Sequence, residues 1–138
     1  MTERLFDKEA PVRVQAIHAM ARLQSLEIDD ETQLTVLDIF LDLLQHDPNA
    51  EVRKASLLQI DVTPKSLPII LERIRDVDTT IRRLFYARKM PEIDILSLTI
   101  LQRDEILKAG LLDREVSVRQ ACSDMIFEHW IQRTEGNL

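Results

Sequence analysis

The chain has 138 residues, 45% hydrophobic and 30% charged, enough apolar content to bury a core beneath wet outer faces. Its net charge of −6 argues against a uniformly basic nucleic-acid module, and its single cysteine excludes a disulfide framework and a cysteine metal cluster. The most apolar run, Val36 to Leu44, is broken by Asp38 and Asp42 and is far too short to span a bilayer, so no membrane partner is expected.

The opening MTERLF is too charged and brief for a secretory signal and reads as the end of a helix, so the chain is expected to be a piece of something longer. After Val12, the spacing of Ala16, Ile17, Met20 and Leu23 predicts a first full helix. Glu27 to Glu31 (EIDDE) reads as an acidic loop. Leu34 to Leu44 predicts a densely apolar helix, and another is expected to begin near Val52. Thr63-Pro64 has the form of an N-cap followed by proline at the first helical position, opening a stripe of Leu67, Ile70, Leu71 and Ile74. The helix that starts near Ile81 should end at Pro91. Leu98 to Leu111 follows, with Arg103, Asp104, Glu105 and Lys108 as its wet face. The last stripe runs through Val118, Ala121, Cys122, Met125, Ile126, His129 and Trp130.

Four segments repeat one spacing: Asp7 to Arg13, Asp47 to Arg53, Asp76 to Arg82 and Asp113 to Arg119. A β-branched residue precedes every arginine: Val12, Val52, Ile81 and Val118. The arginines are 40, 29 and 37 positions apart, scattered around the roughly 40-residue period of helix-pair solenoids. This is the HEAT pattern: an A helix, a short turn carrying Asp, and a B helix beginning near Val-Arg. The expected fold is all-α, a right-handed α-solenoid of stacked antiparallel helix pairs, since one pair cannot bury its apolar faces alone. The expected organisation is a single array over 1–138, with a half repeat at 1–24 and repeats at about 31–60, 64–90 and 93–133.

The repeated Asp and Arg have two readings. They are contacts for a partner, or they are a stacking ladder in which each Asp pairs with the Arg of its own or the next repeat and satisfies helix N-terminal N–H groups. Other candidate chemistry is thin. His18, His46 and His129 share no ligand-like spacing with one another or with Cys122, which lies on an apolar stripe. Only Gly110 and Gly136 are present, too few for a phosphate loop, and no serine or threonine sits in a nucleophile elbow. Asp29-Asp30 and Asp104-Glu105 read as solvated charge. No catalysis, metal or cofactor is expected.

The charge is unevenly distributed. From Arg53 to Lys89 there are nine bases and four acids, a net +5, which leaves −11 for the rest of the chain. A solvated face with ordinary salt bridges is one reading of this island; a patch for phosphates is the other. On the second reading the candidate DNA-backbone contacts are Arg53, Lys54, Lys65, Arg82, Arg83, Arg88 and Lys89. Arg53-Lys54 and Arg82-Arg83 are doublets at B-helix starts; if the first member serves the ladder, the second is spare. No aromatic residues interleave the bases, so contact with the nucleic-acid backbone, insensitive to sequence, is expected.

Five blocks carry a resemblance to a known family: FDKEAPVRVQAIHAMARLQ (6–24), DPNAEVRKASLLQI (47–60), SLPIILERIRDVDTTIRRLFYARKM (66–90), LTILQRDEILKAGLLDREVSVRQAC (98–122) and WIQRTEGNL (130–138). In their order the chain resembles an N-terminal part of condensin subunit 3, the G-type HEAT subunits of condensin. The resemblance implies a long solenoid that holds the kleisin subunit and, with it, clamps double-stranded DNA without sequence preference during chromosome condensation. It also implies only indirect contact with the SMC ATPases, and a place in the nucleus and on chromosomes with a cytoplasmic pool. The alternative is a protein-interaction scaffold whose groove takes an acidic peptide or partner helix, without DNA.

Overall fold

Several helices begin where a side chain satisfies one of their first N–H groups. The computed structural model describes residues 2–132; Met1 and residues 133–138 lie outside them, and with them the end of WIQRTEGNL and of the last expected repeat. After a 3-10 turn at Thr2–Phe6, α1 (Ala10–Met20) carries Pro11 in its first turn, where a missing N–H is harmless. α2 (Val36–His46) opens on a capping box: the Thr35 hydroxyl accepts from the Asp38 N–H, and the Asp38 carboxylate accepts from the Thr35 N–H at 2.9 Å. Asn49 caps α3 (Ala50–Gln59) by accepting from the Glu51 N–H at 2.8 Å.

The chain divides into two compact units, one ending at Ile70 and one beginning at Leu71. In the first, α3 packs against both α1 and α2. Val36, Ile39, Phe40, Leu43 and Leu44 of α2 are buried at i, i+3, i+4, i+7 and i+8, with Ile17, Val52 and Leu57 from the other two helices. Gln24 is buried and fully used. Its amide donates to the carbonyls of Ala21 and Gln59 at 2.8 and 2.7 Å, and its carbonyl accepts from the Asp61 N–H at 2.7 Å.

The acidic EIDDE stretch is more than a loop. Glu27–Asp29 forms β1, antiparallel to β2 (Leu34–Thr35), and the turn between them passes through Gln33 at φ 57°. Leu34, expected at the head of α2, therefore lies in β2 and is exposed. The Thr63-Pro64 signal is met by reciprocal bonds: the Ser66 hydroxyl accepts from the Thr63 N–H, and the Thr63 hydroxyl from the Ser66 N–H. The helix that follows, α4 (Leu67–Leu71), is only five residues long before the chain tightens into a 3-10 turn at Glu72–Arg75.

In the second unit, Asp78 caps α5 (Thr79–Leu84) through the Ile81 N–H. The helix does not run regularly to Pro91. It widens into a π turn at Phe85–Lys89, with the Met90 N–H bonded to the Phe85 carbonyl, then passes through a 3-10 turn at Met90–Glu92. Proline supplies no N–H and crowds the carbonyl four residues back, and a wide turn relieves both demands. Thr99 and Gln102 form a second capping box at α6 (Ile100–Leu111). α7 (Val116–Met125) packs on α5 and α6 and continues into a π turn at Ile126–Ile131. Val118, Cys122, Met125 and Trp130 are buried as the stripe predicts, but His129 is exposed.

The α6–α7 contact depends on the absence of a side chain. A Cβ on Gly110 would sit 2.5 Å from Cys122 Sγ, 2.7 Å from Cys122 Cβ and 2.7 Å from the Tyr86 ring. Neither neighbour yields easily: both are buried, and the Tyr86 hydroxyl donates to the Ile106 carbonyl at 2.8 Å. Gly110→Ala should therefore destabilise by about 1–3 kcal/mol in urea unfolding, as overpacking does. Ser56→Ala should be neutral or stabilising in the same assay, because the buried Ser56 hydroxyl has no hydrogen-bond partner. A harmless Gly110→Ala, or a Ser56→Ala loss above about 1 kcal/mol, would contradict this packing.

Candidate functional site

The Asp-to-Arg spacing of six has one geometric meaning in all four copies. Nη1 of the arginine donates to the backbone carbonyl of its own aspartate: Arg13 to Asp7 at 2.8 Å, Arg53 to Asp47 at 2.9 Å, Arg82 to Asp76 at 2.8 Å and Arg119 to Asp113 at 2.7 Å. The aspartate carboxylate accepts the N–H two residues on, at Glu9, Asn49, Asp78 and Glu115. Those are the N-cap residues of α1, α3, α5 and α7, so the carboxylate orients the cap residue itself.

In two of the copies the rest of the guanidinium reaches the next aspartate along the chain. Arg13 grips Asp47 with Nε at 2.9 Å and Nη2 at 3.0 Å, and Arg82 grips Asp113 with Nε at 2.9 Å and Nη2 at 3.4 Å. In these two pairs the carboxylate is held by the arginine of the preceding repeat, and the arginine of its own repeat takes the carbonyl. The fork geometry is what allows one side chain to do both. Burial alone would push the Asp113 carboxyl up, but the Arg82 bonds and the Glu115 N–H outweigh it and hold it below the usual carboxylate range.

The seven basic candidates separate by burial. Arg53 and Arg82 are buried ladder members, so neither guanidinium stands at the surface for a phosphate. Lys89 is buried too, at 1% exposure, with Nζ 2.8 Å from Glu92. The other four lie at or near the surface. Lys54 is half-buried and pairs with Glu51 at 2.9 Å; Lys65 is exposed and pairs with Asp38. Burial would raise the Asp38 carboxyl, but the Lys65 ammonium and the Thr35 bonds hold it below the usual range. Arg88 is exposed, and Arg83 is half-buried on the wall of a groove of about 390 Å³ between the α5 segment and α7. That groove also carries Gln120, Asp124, Glu128 and His129, so its charge is mixed. Cys122 is buried against Gly110, and burial pushes its thiol up to about 11, which suits packing and not nucleophilic chemistry.

Two bases escaped the candidate set. Arg75 and Arg114 are exposed and lie beside the ladder aspartates Asp76 and Asp113. Arg114 falls outside the Arg53–Lys89 window, and Arg75 is not part of a doublet. Adjacency to a ladder aspartate was the signal available for both.

No family model matches the chain. Curated proteins do, over all of it. It is 45% identical to condensin complex subunit 3 of Schizosaccharomyces pombe, 37% to that of Homo sapiens and 32% to that of Saccharomyces cerevisiae. A crystal structure of the S. pombe condensin Cnd3-Cnd2 subcomplex superposes on 97% of the chain with a TM-score of 0.85 at 41% identity. Over its whole length the chain is similar to part of the condensin subunit 3 proteins. It spans only 16%, 13% and 14% of those three curated relatives and 17% of the matched chain in the crystal structure. The likeness is one of all-α fold, and the ladder is how this chain fixes its helix starts.

A lowered carboxyl stabilises the fold only while it is ionised. The contribution of Asp113 is complete above the ordinary value of 3.8 and is lost as pH falls through the lower folded value. In urea unfolding from pH 7 downward, the stability gap between the parent chain and Asp113→Asn should hold to about pH 4 and close below it. A gap independent of pH would contradict the ionised pair. Arg88→Ala, by contrast, should stay within about 0.5 kcal/mol of the parent.

Proposed function

We propose that the chain is a HEAT scaffold segment of condensin that helps to hold the kleisin subunit and, beside it, the backbone of double-stranded DNA without sequence preference. The observation that carries the DNA part is the division of labour within the doublets. The ladder consumes Arg53 and Arg82, and Lys54 and Arg83 are left outside it. With Lys65 and Arg88 they are the candidate bases that remain near solvent, and surface ion pairs such as Lys54 with Glu51 are weak enough to be exchanged for phosphate. On this reading the SMC ATPases supply the chemistry of the complex and meet this chain only indirectly. The protein then works in the nucleus and on chromosomes, with a cytoplasmic pool, in chromosome condensation.

A second reading has its own observation. Asp124 and Glu128 share the groove with Arg83, and carboxylates there oppose a polyanion but suit a peptide with charges of both signs. Salt dependence separates the two. For DNA, log affinity should fall linearly with log salt, and each lost phosphate contact should flatten the slope by about 0.9. Fluorescence anisotropy with a duplex should show weaker binding and a flatter slope for Lys54→Glu/Lys65→Glu and for Arg83→Glu/Arg88→Glu, with thermal melts close to the parent. Unchanged affinity and slope in both variants would remove DNA from the proposal and leave the peptide reading.

A further inference from the structure

We infer that Arg75 and Arg114 form a binding site for a phosphomonoester carried on a protein side chain, a phosphoserine or phosphothreonine, separate from the proposed DNA contacts. The two arginines line one concave site of about 340 Å³ on the second unit, with Arg82, Asp76 and Asp113 in its wall and Val77 standing 83% exposed at its edge. Both carboxylates in that wall are already compensated. Asp113 is held by Arg82 at 2.9 Å, and Asp76 accepts from Arg73 Nη1 at 2.9 Å and from the Asp78 N–H at 2.9 Å. Arg75 and Arg114, in contrast, make no hydrogen bond or salt bridge with any described residue, although the Arg114 charge helps to hold the neighbouring Asp113 ionised. Two guanidinium groups therefore face one concavity with no carboxylate bonded to either.

The class of anion follows from the surroundings. A phosphomonoester carries about −1.5 to −2 charges and three acceptor oxygens on one small group, which two arginines can bracket with charge-assisted bonds. An extended phosphodiester needs a row of bases along its track. Here Asp78 and Glu115, the cap residues of α5 and α7, stand two positions beyond each ladder aspartate, and Glu72 lies three positions before Arg75. These acids disfavour a polyanion running past the site, whereas the two carboxylates in its wall are already bonded to Arg73 and Arg82 and oppose a compact dianion less. The exposed Val77 offers an apolar contact to a peptide backbone or side chain that a free phosphate would not use.

The test is a titration of the ¹⁵N-labelled chain with N-acetyl-phosphoserine amide, read at the arginine Nε–H resonances. Arg75 and Arg114 should shift together and saturate with one dissociation constant, while Arg83 and Arg88 stay still. Arg75→Gln/Arg114→Gln should raise that constant at least about tenfold, and Arg88→Gln should leave it unchanged. Unphosphorylated N-acetyl-serine amide should produce no shift. The inference fails if the pair does not saturate, or if Arg75, Arg114, Arg83 and Arg88 all shift alike, which marks simple screening. It also fails if inorganic phosphate binds as tightly as the phosphoserine probe, or if duplex DNA saturates the pair at a lower phosphate concentration. Both arginines are exposed, so their glutamine variants should melt with the parent. Loss of DNA binding through Arg83 and Arg88 would not touch this outcome, so the two ideas stand or fall separately.

Discussion

One guanidinium joined to two places holds this structure's helix starts in order. In each copy the arginine four residues into the B helix turns back to the carbonyl of its own aspartate. Where both partners lie in one unit, it also grips the carboxylate of the next. Fixing the turn and fixing the neighbour become one event. A lysine, with all its donors on one atom, could not make both the fork and the carbonyl bond from the same position. The apolar stripes supply most of the stability, since a buried ion pair recovers little beyond its own desolvation. The ladder's contribution is register: it sets which turn faces which.

That constraint reshapes the reading of the charge island. A count of bases along a segment takes no account of where each side chain goes. Arg53 and Arg82 are interior parts of the ladder, and Lys89 is nearly sealed off beside Glu92. What remains for a partner is a smaller and more scattered set, Lys54, Lys65, Arg83 and Arg88, with Arg75 and Arg114 forming a different cluster at the turns. A groove with both Arg83 and Asp124 on its wall cannot be treated as a simple basic channel.

Much of the fold was legible because its signals are local and periodic. The spacing Asp-to-Arg of six marked all four B-helix starts, and the last stripe placed Val118, Cys122, Met125 and Trp130 in the core, while its Ala121 and Ile126 are half-buried and its His129 is exposed. The doublet argument also separated the first base of each pair from the second. Lys89 was legible in principle: it lies four residues after Phe85 and eight after Ile81, on the buried stripe, but a charge tally takes no account of faces. The hairpin was not legible. Its strands are three and two residues long, one is written Glu-Ile-Asp, and its turn uses Gln33 in the left-handed region where glycine or asparagine would have announced it. The π turn before Pro91 was hidden for a similar reason, since proline signals a break and not the form the chain takes to reach it.

The central claim is that arginine and carboxylate act as one device across successive repeats, and a double-mutant cycle on Arg82 and Asp113 tests it most directly. Urea unfolding of the parent, Arg82→Met, Asp113→Ala and the double variant at pH 7 gives the coupling energy. The account predicts a favourable coupling of about 1–3 kcal/mol, with the double variant far less damaged than the sum of the singles. Additive losses, with coupling below about 0.3 kcal/mol, would mean that the two side chains merely lie close together.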